Sequence, residues 1–147
     1  MRTLSIDFGL QRVGLALSDP GGRLALPYKT LRHQGRKRLV QNILRILDQE
    51  QVERLVLGLP LGQSGEETLG VRQVKNLARS LQRATDKEIY LLDETLSSFE
   101  ARQRLRSTGV RLGRKKSILD QQAAVIILES FLQDPKQARV LEQGEKK

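Results

Sequence analysis

From Thr3 to Phe8 the side chains alternate, with Leu4, Ile6 and Phe8 on one face, which is the period of a half-buried strand. After Gly9-Leu10-Gln11 the chain resumes as Arg12-Val-Gly-Leu-Ala-Leu-Ser18. Asp19-Pro20-Gly21-Gly22 is a strong turn signal, and residues 23–31 then read as a third strand. Short strands separated by tight turns predict an antiparallel meander. The period then lengthens. Leu39, Val40, Ile43, Leu44 and Leu47 form an apolar stripe at helical spacing between residues 35 and 50.

Arg54-Leu-Val-Leu-Gly-Leu-Pro60 is almost wholly apolar and ends in a helix-breaking residue, the pattern of a strand covered on both faces. Ser64 and Glu67 form a capping box, predicting a helix that carries Leu69, Val74, Leu77, Ala78 and Leu81. Ile89-Tyr-Leu-Leu92 is a second buried strand, closed by Asp93-Glu94. A further capping box, Ser97 with Glu100, opens a helix that Gly109 stops. Arg111 to Lys116 then reads as a basic loop before a last helix bearing Ala123, Ala124, Ile127, Leu128 and Phe131. The order, βββ followed by α-β-α-β-α and a closing helix, predicts an α/β domain with one mixed sheet. That domain is expected over residues 1–132, and residues 133–147 as a polar, frayed tail.

Composition narrows the chemistry. The 147 residues fit one domain, and a domain of this size buries roughly 70% of its unfolded surface without staples. There is no cysteine and His33 is the only histidine. Disulfides and thiolate zinc sites are thereby excluded, as are metal clusters built from several histidines. His33 itself reads as a surface loop residue. No apolar run approaches the ~20 residues needed to span a bilayer, and the first residues lack a signal-peptide core, so a cytoplasmic location is expected. Lys plus Arg number 26 against 17 Asp plus Glu, a formal charge of +9, which favours a polyanionic partner. Aromatic residues are only 3% of the chain. Recognition of backbone and shape therefore fits better than stacking of single-stranded bases.

Three carboxylates stand out against this background. Asp7 interrupts a strand that must join buried parallel neighbours, where a carboxylate is costly unless it is paired or bound. Glu94 follows the C-terminal end of an apolar strand, the end at which open α/β sheets place their sites. Asp120 lies at the predicted entry to the last helix. Each also has a plainer role: Asp7 capping the Gly9 turn, Glu94 in a first helical turn, Asp120 completing a capping box with Ser117. Together they match the needs of Mg²⁺ or Mn²⁺, hard cations that prefer carboxylate oxygens. Two such ions about 3.5–4 Å apart can serve phosphodiester hydrolysis.

Asp7-Phe-Gly9-Leu-Gln-Arg12-Val-Gly14-Leu-Ala-Leu-Ser18-Asp19, Gly58-Leu-Pro60, Asp93-Glu94 and Asp120-Gln-Gln-Ala-Ala124 resemble the signature segments of the YqgF family. That family comprises Holliday-junction-resolvase-like proteins and pre-16S rRNA processing nucleases, and the resemblance runs from about Thr3 to Leu132. It implies an RNase H-like fold, here a mixed five-stranded sheet of a three-strand antiparallel meander plus two parallel strands, flanked by helices. It also implies metal-dependent phosphodiester hydrolysis, with the acidic site on Asp7, Glu94 and Asp120 and a first-motif arginine on Arg12. Two segments depart from the family pattern: Leu61-Gly-Gln-Ser-Gly65, and Thr95 where an arginine is usual. Both bear on substrate contacts more than on the carboxylates. Arg114, Lys115 and Lys116 are expected to meet phosphate close to Asp120, whereas Arg36-Lys37-Arg38 reads as a solvated run. The expected activity is nuclease processing of the ribosomal small-subunit RNA precursor, in association with precursor particles. A four-way DNA junction is the alternative substrate. A non-catalytic RNA-binding assembly factor is an alternative of a different class. An actin-like phosphotransferase would need a second domain.

Overall fold

The computed structural model describes residues 1–60, 69–93 and 112–142, with the backbone alone over 112–120. In chain order the elements are β1 (Thr3–Asp7), β2 (Arg12–Ser18), β3 (Ala25–Arg32), α1 (Arg36–Gln49), β4 (Arg54–Leu59), α2 (Leu69–Ala84), β5 (Glu88–Asp93), α3 (Leu112–Gln133), a 3₁₀ turn (Pro135–Gln137) and β6 (Arg139–Val140). They build one six-stranded sheet in the order β3-β2-β1-β4-β5-β6. β1, β2 and β3 pair antiparallel as the turn signals predict, and β1, β4 and β5 run parallel.

Three sequence expectations need correction. The third strand starts at Ala25 rather than residue 23. The backbone N–H groups of Arg23 and Leu24 donate to the Asp19 carboxylate at 2.7 and 2.8 Å, so these residues belong to the turn. A sixth strand joins the five expected, and it comes from the segment read as a frayed tail. Leu141 is buried, its N–H donates to the Ile89 carbonyl at 2.7 Å, and the Gln82 side chain donates to the carbonyls of Leu141 and Glu142. A two-residue strand is too short for an alternating pattern to announce it. Finally, Leu112 to Lys116 are helical rather than a loop, since α3 begins at Leu112. The capping box at Ser64 and the helix expected from Ser97 to Gly109 lie outside the described residues.

The pleat sends alternate residues to two cores. Leu4 and Ile6 of β1, Leu15 and Leu17 of β2, and Leu55 and Leu57 of β4 meet Leu39, Ile43, Val74, Leu77 and Leu81 of α1 and α2. Ala16, Val56 and Leu92 meet Ala124, Ile127, Leu128 and Phe131 of α3 on the other face. Each large side chain so buried contributes about 1.5–3 kcal/mol. Anchors at its middle and near its C-terminal end fix the direction of α3. Near its C-terminal end, Phe131 packs its ring against Tyr90 and under the Arg54 guanidinium at 4.7 Å, at the start of β4. At its middle, Ser5 Oγ donates to the Ala124 carbonyl at 2.6 Å, and one turn earlier Gln121 Nε2 donates to Thr30 Oγ1 at 3.1 Å. α3 therefore crosses the sheet antiparallel to β1.

Candidate functional site

Because β1, β4 and β5 are parallel, their C-terminal ends share one edge, and the last residues of β1 and β5 are Asp7 and Asp93. The first four residues of β1 are buried, and Asp7 is half-buried. Alternation places Asp7 on the same face as Thr3 and Ser5, the face that α3 covers. Its directly opposed partner in β2 is Gly14. On the other flank, one step past the Ile6–Leu57 pair, stands Gly58 of β4, itself paired with Leu92. Cross-strand neighbours lie about 4.5–5.5 Å apart at Cβ, and here both directly flanking positions are glycine.

The chain leaves Asp7 through a tight connection. A Cβ at Gly9 would collide with the backbone carbonyl of Arg12, which explains glycine two residues after the acid. β2 then opens with Arg12, half-buried and paired with Arg32 of β3. His33 does more than occupy a surface loop. Its ring meets Phe8 edge-on at 5.0 Å, its N–H donates to the Gln11 carbonyl at 2.9 Å, and its Nδ1 lies 3.2 Å from the Leu10 carbonyl. A carbonyl only accepts, so Nδ1 carries the proton in that contact.

The third element is α3. Gln121 is bonded to Thr30, Thr30 pairs with Gly14, and Gly14 pairs with Asp7. The backbone of Asp120, one residue before Gln121, therefore lies on the same face and towards the same edge as Asp7. With α3 starting at Leu112, Ser117 and Asp120 lie in the helix interior. The capping-box role for Asp120 is thus overturned, since such boxes satisfy the free N–H groups of a first turn. The side chain of Asp120, those of Arg114, Lys115 and Lys116, and the whole of Glu94 lie outside the described residues. Glu94 is covalently next to Asp93, the end of β5. Among the described residues no group of three or more acidic or histidine side chains could hold a metal. A cleft of about 360 Å³ between α2 and the β5–β6 edge is lined by Lys75, Arg79, Arg139 and Glu142 among others, and by none of the candidate carboxylates.

Sequence reasoning missed the two flanking glycines, the Gln121–Thr30 bond and the docking of His33. Gly14 and Gly58 are visible in the sequence, but their place beside Asp7 depends on strand order and register.

A mixed sheet of this order, with a carboxylate ending its first, central strand and a helix crossing that face antiparallel to it, defines an RNase H-like protein. Solved structures share the fold: Thermus thermophilus RuvC in complex with Holliday junction substrate has a TM-score of 0.58 at 14% identity, covering 96% of this chain and 99% of that one. The Fowlpox virus resolvase complexed with Holliday junction DNA has a TM-score of 0.57 at 10% identity, covering 92% and 99%. A family model described as RuvX, Holliday junction resolvase, matches residues 1–134. The chain belongs to that family. Among its relatives, a protein of Maridesulfovibrio salexigens is 48% identical over 132 residues, 90% of this chain and 98% of the relative. One of Nitratidesulfovibrio vulgaris strain DP4 is 44% identical over 141 residues, covering 96% and 99%. Both carry the name "Putative pre-16S rRNA nuclease".

Proposed function

We propose that this protein hydrolyses phosphodiester bonds of the ribosomal small-subunit RNA precursor, using Mg²⁺ or Mn²⁺ held by Asp7, Glu94 and Asp120. As a RuvX-family chain that spans nearly the whole length of relatives carrying a nuclease name, it is a nuclease. The observation that carries the site is Asp7: a half-buried carboxylate at the end of a central strand, flanked by Gly14 and Gly58 and facing the layer that contains α3.

The donor set fits a hard divalent cation. Three carboxylates offer oxygen ligands, and the two glycines leave room beside one of them for an ion that keeps part of its water shell. When bound, the metal supplies Lewis acidity and an activated water. The chain's own groups do the positioning. Asp7 is held by β1, whose preceding residues are locked beneath α3 through Ser5 and Ala124. Arg12, at the start of β2, would bind a phosphate oxygen and orient the backbone across the edge. Arg114, Lys115 and Lys116, in the first turns of α3, would draw the same backbone towards Asp120.

Structured RNA is the preferred partner, in the cytoplasm and in association with ribosomal precursor particles. Among the described residues no helix is long and apolar enough to cross a membrane. The family description and the fold neighbours favour one second reading, cleavage of four-way DNA junctions. Symmetric cutting of a junction requires two sites and hence a dimer. The deciding experiment incubates purified protein with precursor RNA and with junction DNA, in Mg²⁺, Mn²⁺ or chelator. Metal-dependent cutting of the precursor is expected, and loss of it in Asp7→Asn and Glu94→Gln. RNA binding without cleavage in any divalent metal would leave an assembly factor.

A further inference from the structure

The edge that carries Asp7 is also lined with cations. Arg12 stands directly opposite Arg32, and like charges so placed repel. Beyond Arg32, across the three residues His33, Gln34 and Gly35, α1 opens with Arg36, Lys37 and Arg38, all exposed. Its first turn holds no acidic residue. These charges therefore face the positive end of the helix dipole, where they cost stability. Four exposed cations in seven residues, arranged at a cost to folding, are poorly explained as a merely solvated face.

Their position relative to Asp7 is fixed. The loop before α1 is bound to the loop after Asp7 by His33, through Phe8, the Leu10 carbonyl and the Gln11 carbonyl. Arg38 Nη1 donates to Gln34 Oε1 at 3.2 Å, which ties its guanidinium to that same loop. β3 lies two strand spacings from β1, about 10 Å, which is the axial rise of about three nucleotides of a duplex strand.

We propose that Arg32, Arg36, Lys37 and Arg38 continue from Arg12 as a phosphate track, carrying the nucleic-acid backbone away from Asp7 over the β3 side. The bound polyanion neutralises charges that the free protein holds at a cost. A substrate seated on the track extends about three or more nucleotides beyond the scissile bond on this side. This inference rests on the nuclease reading above.

The test uses the full chain in chelator, titrated with precursor RNA and with junction DNA across a salt series. The variants are Arg36→Ala/Lys37→Ala/Arg38→Ala, Arg32→Ala, and Arg114→Ala/Lys115→Ala/Lys116→Ala for comparison. The α1 triple variant should flatten the slope of log affinity against log salt by up to about 3 units, and Arg32→Ala by about 1. Its thermal midpoint should hold or rise, since like charges leave the helix start. In metal it should cut a long substrate more slowly, yet match wild type on substrates trimmed to within about two nucleotides of the cut, too short to reach the track. An unchanged slope in the α1 variant beside a flattened one in the α3 variant overturns the track and leaves the nuclease reading intact. Wild-type protein that neither binds nor cuts either substrate removes the nuclease reading itself, and the track with it.

Discussion

Asp7 and Asp120 separate chemistry from stability at the level of single side chains. Asp7→Asn keeps size and removes charge, so cleavage should fall at least a hundredfold while affinity measured in chelator changes little, because binding rests on the cations. Cleavage near the wild-type rate across a Mg²⁺ titration would remove Asp7 from the reaction. Asp120→Asn now has a sharper outcome than the sequence allowed. α3 begins at Leu112, so no capping bond is lost, and the metal-free variant should unfold at or slightly above the wild-type temperature, with like-charge repulsion relieved. A stability loss with cleavage preserved would make Asp120 structural. Asp19 gives a pH signature of a different kind. The backbone N–H groups of Leu24 and Arg23 hold its carboxyl below the usual carboxylate range. A depressed pKa contributes stability that is present above the ordinary carboxylate value and lost as pH falls through the folded value. Thermal midpoints of wild type and Asp19→Ala should therefore differ by a constant amount between about pH 5 and 7 and converge below about pH 4.

Among the elements, α3 links folding to the site. It is pinned over β1 by Ser5 and over β3 by Gln121. Ser5→Ala removes a buried donor from the Ala124 carbonyl, and chemical denaturation should register a loss of about 1–3 kcal/mol. Gln121→Ala breaks a half-exposed bond and should cost less in stability. If the Thr30 bond sets the angle at which α3 presents Asp120, it should still lower the cleavage rate. Equal activity with equal stability would mean that α3 is oriented by its apolar core alone. The loop between β1 and β2 is the second sensitive element. Gly9→Ala forces a Cβ against the Arg12 carbonyl, and relieving that overlap should cost about 1–3 kcal/mol and shift Asp7 relative to Arg12.

Considered as a whole, the molecule should couple metal to folding. Divalent metal that binds only the folded site should raise the thermal midpoint of wild type and leave that of Asp7→Asn unmoved. An equal rise in both would place the bound metal elsewhere. The sequence by itself determined the meander, the two buried parallel strands and α1, because alternation and helical period are local properties and Pro and Gly punctuate them sharply. It also determined the acids and cations worth testing, since a carboxylate in an apolar strand and a large basic surplus need no coordinates to be noticed. Only the tertiary structure decided what stands beside them. Gly14 and Gly58 are far apart in the chain and become the flanks of Asp7 through antiparallel pairing on one side and parallel pairing on the other. β6 depends on burying Leu141 against β5, a long-range contact that no two-residue pattern encodes. The start of α3 also depends on more than local signals: Ser117 and Asp120 spell a cap, yet the helix continues upstream to Leu112. Periodicity reports which face of an element is apolar, whereas register, strand order and helix direction arise only when those faces are buried against one another.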